Sequence, residues 1–293
     1  MDPTSHVLIE PKLHDLGDGF AVRRMLPSAR QRTVGPFVFF DHIGPVDFAP
    51  GNAVDVRPHP HIGLSTMTYL FEGIFRHRDS LGVVQDIRPG AVNWMTAGKG
   101  VVHSERTPEP ERSSGHRLHG VQFWVGLPDQ DAEREPSFSH HAATELPQWP
   151  SADGQVQCRL VAGQAFGKHS PVPVFSPLFC LDLQFQPGAR FEIPAEYPER
   201  AIQVAEGEVE VDGERLPMHA MLVLRPGAVV TVTASAAARL IVLGGEPLDG
   251  PRFVWWNFVS ASRDRIEKAK QDWMEGRFAK VPGETEFIPL PEH

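Results

Sequence analysis

Residues 59–73 read HPHIGLSTMTYLFEG, and residues 96–105 read TAGKGVVHSE. Both stretches are apolar, rich in β-branched residues and broken by glycine, the composition of short strands separated by turns. Side chains two apart on a strand leave from the same face. His59 and His61 therefore act as one pair of donors, and His103 and Glu105 as another. Laid side by side inside a barrel, these strands would bring three imidazoles and one carboxylate to a single point. Such a donor set suits one borderline divalent ion, with iron, manganese, nickel or zinc as candidates.

The same punctuation continues through the chain. Gly and Pro number 26 and 28 in 293 residues and divide the sequence into many short β-type runs, so an all-β class is expected, with helix confined to the end. Early strands are expected at 6–9, 20–23 and 37–42, the last of them apolar enough to be buried on both faces. If no bulge intervenes, Met67, Tyr69 and Phe71 keep the parity of His59 and His61 and line the same cavity. Trp94 and Phe123 join them as candidate substrate-pocket residues. A strand over 92–96 lies between turns at Pro89-Gly90 and at Gly98 and Gly100. After residue 127 the chain turns polar and Pro-interrupted through 128–150, which reads as an interdomain linker or lid. His140 and His141 fall there, and as neighbours on an extended chain they face opposite ways, so no shared ion is expected from them.

The second half echoes the first. RPGAVNWMTA at 88–97 returns as RPGAVVTVTA at 225–234, and Glu72-Gly73 as Glu206-Gly207. Two copies of one β-unit are implied. Carrying these offsets over places Ile193, Ala195, Leu240 and Val242 where His59, His61, His103 and Glu105 stand, so the second copy should hold an apolar core and no metal. Asp212-Gly213 is its hairpin turn, and His219 stands alone there as a structural histidine. The expected spans are 1–135 for the metal-binding barrel, 136–250 for the second barrel and 251–293 for a tail. In that tail Ser262 caps a helix whose Ile266, Ala269 and Trp273 share a face and which Gly276 ends. FVWWNFV at 253–259 is too aromatic to be left in water and is expected to seal against the N-terminal half.

Composition limits the function. The net charge of −9, without blocks of like charge, repels nucleic acid. No apolar run approaches the roughly 20 residues of a spanning helix, and the first residues lack a signal-peptide layout. Cys158 and Cys180 are too few for a disulfide framework and sit in apolar surroundings. A cytoplasmic protein without membrane contact is expected, with a monomer as the default state.

Taken together, GPFVFFDHIGP (35–45), HPHIGLSTMTYLFEG, HRDSLG (77–82), PGAVNWMTAGKGVVHSER (89–106) and QFWVGLP (122–128) resemble the pirin family within the cupin superfamily. The resemblance covers most of the chain. It implies a bicupin of two jelly-roll β-barrels, with one metal in the N-terminal barrel on His59, His61, His103 and Glu105. Iron comes first among the ions it implies, with manganese, nickel, cobalt, copper or zinc as further candidates. Four protein ligands leave two positions open on a six-coordinate ion, unlike closed structural zinc. Some pirins are similar to quercetin 2,3-dioxygenases, which implies a flavonol-like aromatic substrate, dioxygen, and Glu105 as a catalytic base as well as a ligand. Others resemble iron-dependent regulators that bind a transcription factor or a metabolic enzyme, so the alternative is a non-enzymatic protein with a protein partner.

Overall fold

The computed structural model describes residues 5–15 and 20–291; positions 1–4, 16–19 and 292–293, including both ends of the expected spans, lie outside the described residues. The chain opens with β1 (Val7–Ile9), β2 (Lys12–Asp15), β3 (Ala21–Leu26) and β4 (Phe37–Phe48). Next come β5 (Asp55–His61), β6 (Leu64–Glu72), β7 (Phe75–Asp79), β8 (Val84–Ile87), β9 (Val92–Thr96) and β10 (Val101–Arg106). One helical turn, α1 (Glu111–Ser114), leads to β11 (His116–Gly126), β12 (Ser137–His141), β13 (Gln148–Pro150), β14 (Val156–Ala165) and β15 (Lys168–His169). The second series is β16 (Leu178–Phe185), β17 (Arg190–Ile193), β18 (Glu199–Glu206), β19 (Val209–Val211), β20 (Glu214–Leu216), β21 (Met221–Leu224), β22 (Val230–Thr233) and β23 (Ala238–Gly245). A hairpin of β24 (Phe253–Trp255) and β25 (Phe258–Ser260) precedes α2 (Arg263–Met274).

Contacts divide the chain into two compact units. One comprises Met1–His14, Arg23–His42 and Thr144–Pro247, the other Asp15–Val22, Ile43–Ala143 and Leu248–His293. These boundaries depart from contiguous spans: residues 23–42 belong with the later strands, and the tail from 248 belongs with the unit that carries His59. Each unit pairs a large sheet with a smaller one, the two-layer arrangement of a cupin jelly roll. In the 43–143 unit the small sheet runs β5-β10-β7-β8 and the large one β12-β9-β6-β11-β4; in the 144–247 unit the small sheet runs β17-β22-β19-β20 and the large one β1-β21-β18-β23-β16-β14-β13. The sheets are not closed into continuous barrels.

Strand for strand the two units repeat, β4 through β11 against β16 through β23. This corrects part of the repeat read from sequence. Glu72 and Glu206 do end equivalent strands, β6 and β18. The two RPGAV segments do not correspond, because the first enters β9 and the second enters β22, which is the equivalent of β10. Register settles the counterparts: His59 faces His103 and His61 faces Val101 across β5 and β10, as Phe191 faces Val232 and Ile193 faces Val230 across β17 and β22. The positions equivalent to His59, His61, His103 and Glu105 are thus Phe191, Ile193, Val232 and Ala234, whereas Leu240 and Val242 lie on β23. All of these except the half-buried Phe191 are buried in one apolar core, so the apolar replacement holds although the residues differ.

The stretch 128–150 does carry the chain from one unit to the other, between Ala143 and Thr144, but as paired strands. It contains β12, paired to β9 from Ser137↔Thr96 to His141↔Val92, and β13, paired to β14. Other elements match expectation closely. Phe37 through Gly44 are all buried. Asp212 and Gly213, at φ 51° and 86°, make the hairpin between β19 and β20. Ser262 Oγ accepts from Arg265 N at 3.3 Å to cap α2, and Ile266 and Ala269 are buried beneath it. The aromatic hairpin docks on the His59-bearing unit, where Val259 N donates to Ile62 O at 3.1 Å and Phe258 is fully buried. His219 does not stand alone, since its ring lies 5.0 Å from that of His42. Cys158 and Cys180 are buried free thiols; burial, with Asp182 nearby, pushes Cys158 up to about 12 and Cys180 well above the ordinary thiol value.

Candidate metal centre

The site is built on the small sheet of the 43–143 unit. β10 lies between β5 and β7, so each of its inward side chains meets one from either neighbour. His59, His61 and His103 converge with one nitrogen each within 4.8 Å of the others. Their ring centroids are 4.4 to 5.0 Å apart. They are 7%, 1% and 2% exposed, which settles their charge: burial outweighs the other influences and lowers all three, His61 and His103 well below the ordinary histidine value. Neutral imidazole is the ligating form.

Hydrogen bonds decide which nitrogen each ring offers. His59 Nδ1 donates to the Arg57 carbonyl at 2.9 Å, leaving the Nε2 lone pair free to ligate. His103 is oriented through two further residues absent from the sequence-based site. Asp79 is fully buried and its carboxylate accepts from Leu81 N, Val83 N and His77 Nε2, the last at 3.0 Å. A carboxylate only accepts, so His77 carries a proton on Nε2 toward Asp79, and the nitrogen it turns toward His103 is Nδ1, its acceptor position in that tautomer. His103 Nδ1 lies 3.3 Å from that atom and donates to it, which strips His103 Nε2 of its proton. This Nε2 stands 3.1 Å from His61 Nε2. Facing each other at this distance, the two Nε2 atoms are the ones that would hold an ion together with His59 Nε2. The donor set, three buried neutral imidazoles with two of them anchored from behind, fits a transition metal.

Glu105 shares the inward face of β10 with His103, and it is 5% exposed. The convergent group comprises the three imidazoles, and the carboxylate stands beside it in a hydrogen-bonded cradle. Gln122 Nε2 donates to Oε1 at 2.9 Å and to Oε2 at 2.8 Å, and Thr68 Oγ1 donates to Oε1 at 3.1 Å. Gln122 and Thr68 are direct partners across β11 and β6.

That cradle shows which face of the large sheet looks inward, and it overturns the expected pocket. Thr68 and Gln122 point at the centre, as does Trp124, whose ring lies 5.1 Å from His61, and Phe138 stacks on His77 at 4.5 Å. Met67, Tyr69, Phe71, Trp94 and Phe123 occupy the alternate positions of the same strands and so lie on the opposite face, each buried there. The parity failed at Gly63. The chain turns there at φ 68°, leaving β5 in one sheet and starting β6 in the other, and a Cβ at this position would sit 1.9 Å from the Val259 carbonyl oxygen. His140 and His141 are on a strand, bonded to Asn93 and Ser139, and stand apart from the convergent group.

A family model described as pirin matches residues 19–125, and one described as the pirin C-terminal cupin domain matches residues 180–279. The chain is 52% identical over 291 residues to a pirin-like protein of Caulobacter vibrioides, covering 98% of this chain and 99% of that one. It is 38% identical over 271 residues to a Pseudomonas aeruginosa protein provisionally named quercetin 2,3-dioxygenase, covering 91% and 84%. A crystal structure of quercetin 2,3-dioxygenase from Acinetobacter baumannii superimposes with a TM-score of 0.91 at 34% identity, covering 98% of this chain and 95% of the other.

Proposed function

The chain belongs to the pirin family, and on that premise we propose that it is a metal-dependent dioxygenase of the quercetinase type, acting on flavonol-like aromatic substrates. The observation that carries the reading is the centre itself: three buried imidazoles in their ligating form beside one carboxylate in a separate cradle. His59, His61 and His103 would hold a single divalent ion, iron before the other candidates, and Glu105 would complete the set. The ion would supply Lewis acidity and one-electron chemistry toward an oxygen-ligating substrate and dioxygen.

The protein's own contribution is positional and acid–base. Glu105 is the acidic residue of the set and is proposed as the base for the substrate hydroxyl. Taking a proton at Oε2 removes the acceptor for one Gln122 hydrogen bond, while Gln122 and Thr68 still hold Oε1, so the carboxyl keeps its place in either protonation state. Asp79 and His77 keep His103 in one tautomer throughout. Trp124 and Phe138 give the surroundings an apolar wall that excludes water.

Quercetin-dependent oxygen uptake by protein purified without chelators tests this reading. Uptake should vanish on metal removal and return with ferrous ion. A second reading, an iron-dependent regulator without turnover, is favoured by the depth of the centre, whose four side chains are 1–7% exposed. A metal-loaded protein that consumes no oxygen with any flavonol would select it.

A further inference from the structure

The outer face of β10 borders a cavity. Val102 and Ser104 point away from the imidazole centre, and the chain after α2 folds back over them. Between the tail and the sheet lies a space of about 530 Å³, within the roughly 300–1,000 Å³ of small-molecule sites. Pro58, Val102, Trp273, Phe278, Phe287 and Leu290 make its walls.

The walls are held in place. Glu284 accepts from Ser104 Oγ at 2.6 Å and from Arg106 Nη2 at 2.5 Å, and Glu286 accepts from the same Nη2 at 2.9 Å. Four residues on, Ile288 N donates to the Pro58 carbonyl at 2.8 Å and its own carbonyl accepts from Trp273 Nε1 at 3.0 Å. The tail is therefore pinned on both sides of the cavity. Met274 and Phe287, at 68% and 57% exposure, leave large apolar surface open at this place, a cost that a ligand would remove.

Lys280 supplies the polar end of the cavity. Both carboxylates that line the cavity are committed to Arg106. Lys280 also lines it, is exposed, and makes no ion pair among the described residues. We propose that this cavity is a binding site for a small amphiphilic carboxylate, with an apolar body of octyl or naphthyl size between Trp273, Phe278 and Phe287 and its single negative charge on the Lys280 ammonium. No bond is made or broken in it, and the proposal is independent of the chemistry at the imidazole centre.

Calorimetry with octanoate and 2-naphthoate, against the neutral 1-octanol and 2-naphthol, tests the site on protein as purified and after metal removal. A ligand of this size should bind with a Kd on the order of 0.1–1 mM, equally well with and without metal. Lys280→Gln should weaken the two carboxylates about three- to fivefold and leave the neutral compounds unchanged. Ala279→Trp, a change at an exposed position on the cavity wall, should abolish binding of all four. Octanoate alone binding would mark a lipid-like ligand, 2-naphthoate alone a flat aromatic acid. The proposal is overturned if neither carboxylate binds below 1 mM, if binding survives Ala279→Trp, if Lys280→Gln changes nothing, or if binding disappears with the metal.

Discussion

His103 shows how far one member of the convergent group depends on residues outside it. Its Nε2 is free to ligate because Nδ1 donates to His77, and His77 can accept because Asp79 holds the proton of the other ring nitrogen. His77→Phe keeps the stacking on Phe138 but removes the acceptor. Metal affinity, measured by competition with a fluorescent chelator, should fall by about 10- to 100-fold. His77→Gln can accept through its carbonyl and donate to Asp79 through its amide, so it should recover part of that loss. Equal loss in both variants would mean that His77 fills space and does nothing more. Sequence spacing found the convergent imidazoles because the two-residue period of a strand is local. It could not find His77, Asp79, Thr68 or Gln122 as partners of the site, because their roles arise from pairing between distant strands. HRDSLG was visible as a motif, yet nothing local says that its His and Asp face inward.

At the scale of elements, the turn at Gly63 and the pinned tail each control what a strand presents. Gly63 lets the chain leave the small sheet and enter the large one within a few residues, and the parity of every β6 side chain is reset there. Gly63→Ala combines a left-handed backbone with a Cβ placed against the Val259 carbonyl, and should destabilise the protein by more than about 2 kcal/mol, read as a lower urea midpoint. An unchanged midpoint would show that the turn has room to relax. The tail should respond to acid. Burial alone would raise the Glu284 carboxyl, but the Arg106 and Ser104 hydrogen bonds and the Arg106 charge leave it below its ordinary value. A folded value below the unfolded one gives stability that is complete above the unfolded value and is lost as pH falls through the folded one. Amide protection at Ile288 should therefore hold at pH 6 and decline below roughly pH 4.

Across the whole molecule, the repeat determines how many ions the chain can hold. Phe191, Ile193, Val232 and Ala234 take the places of His59, His61, His103 and Glu105, so the 144–247 unit offers carbon where the other offers side-chain nitrogen and oxygen. Wild-type protein should contain one metal per chain, and either His59→Ala or His103→Ala should bring this close to zero while the circular dichroism spectrum stays that of a β protein. A content near two would contradict the apolar replacements. The fold class, the C-terminal helix with its Ser262 cap and the Asp212-Gly213 hairpin were legible because each has a local signature. The division into units was not, because Arg23–His42 joins strands more than a hundred residues later, and no local pattern reports such pairing. The RPGAV echo misled for a related reason: the same turn chemistry serves two different connections, and only sheet order tells them apart.

The proposed activity rests on Glu105 acting beyond mere attachment, and one measurement separates the two roles. Metal content and quercetin-dependent oxygen uptake are determined on the same preparations of wild type and Glu105→Gln. The amide keeps the shape and one ligating oxygen but removes the negative charge and most of the basicity. The account predicts that Glu105→Gln retains most of its metal while uptake per bound metal falls by about 10²–10⁴-fold. Uptake that falls only in proportion to metal content would contradict it.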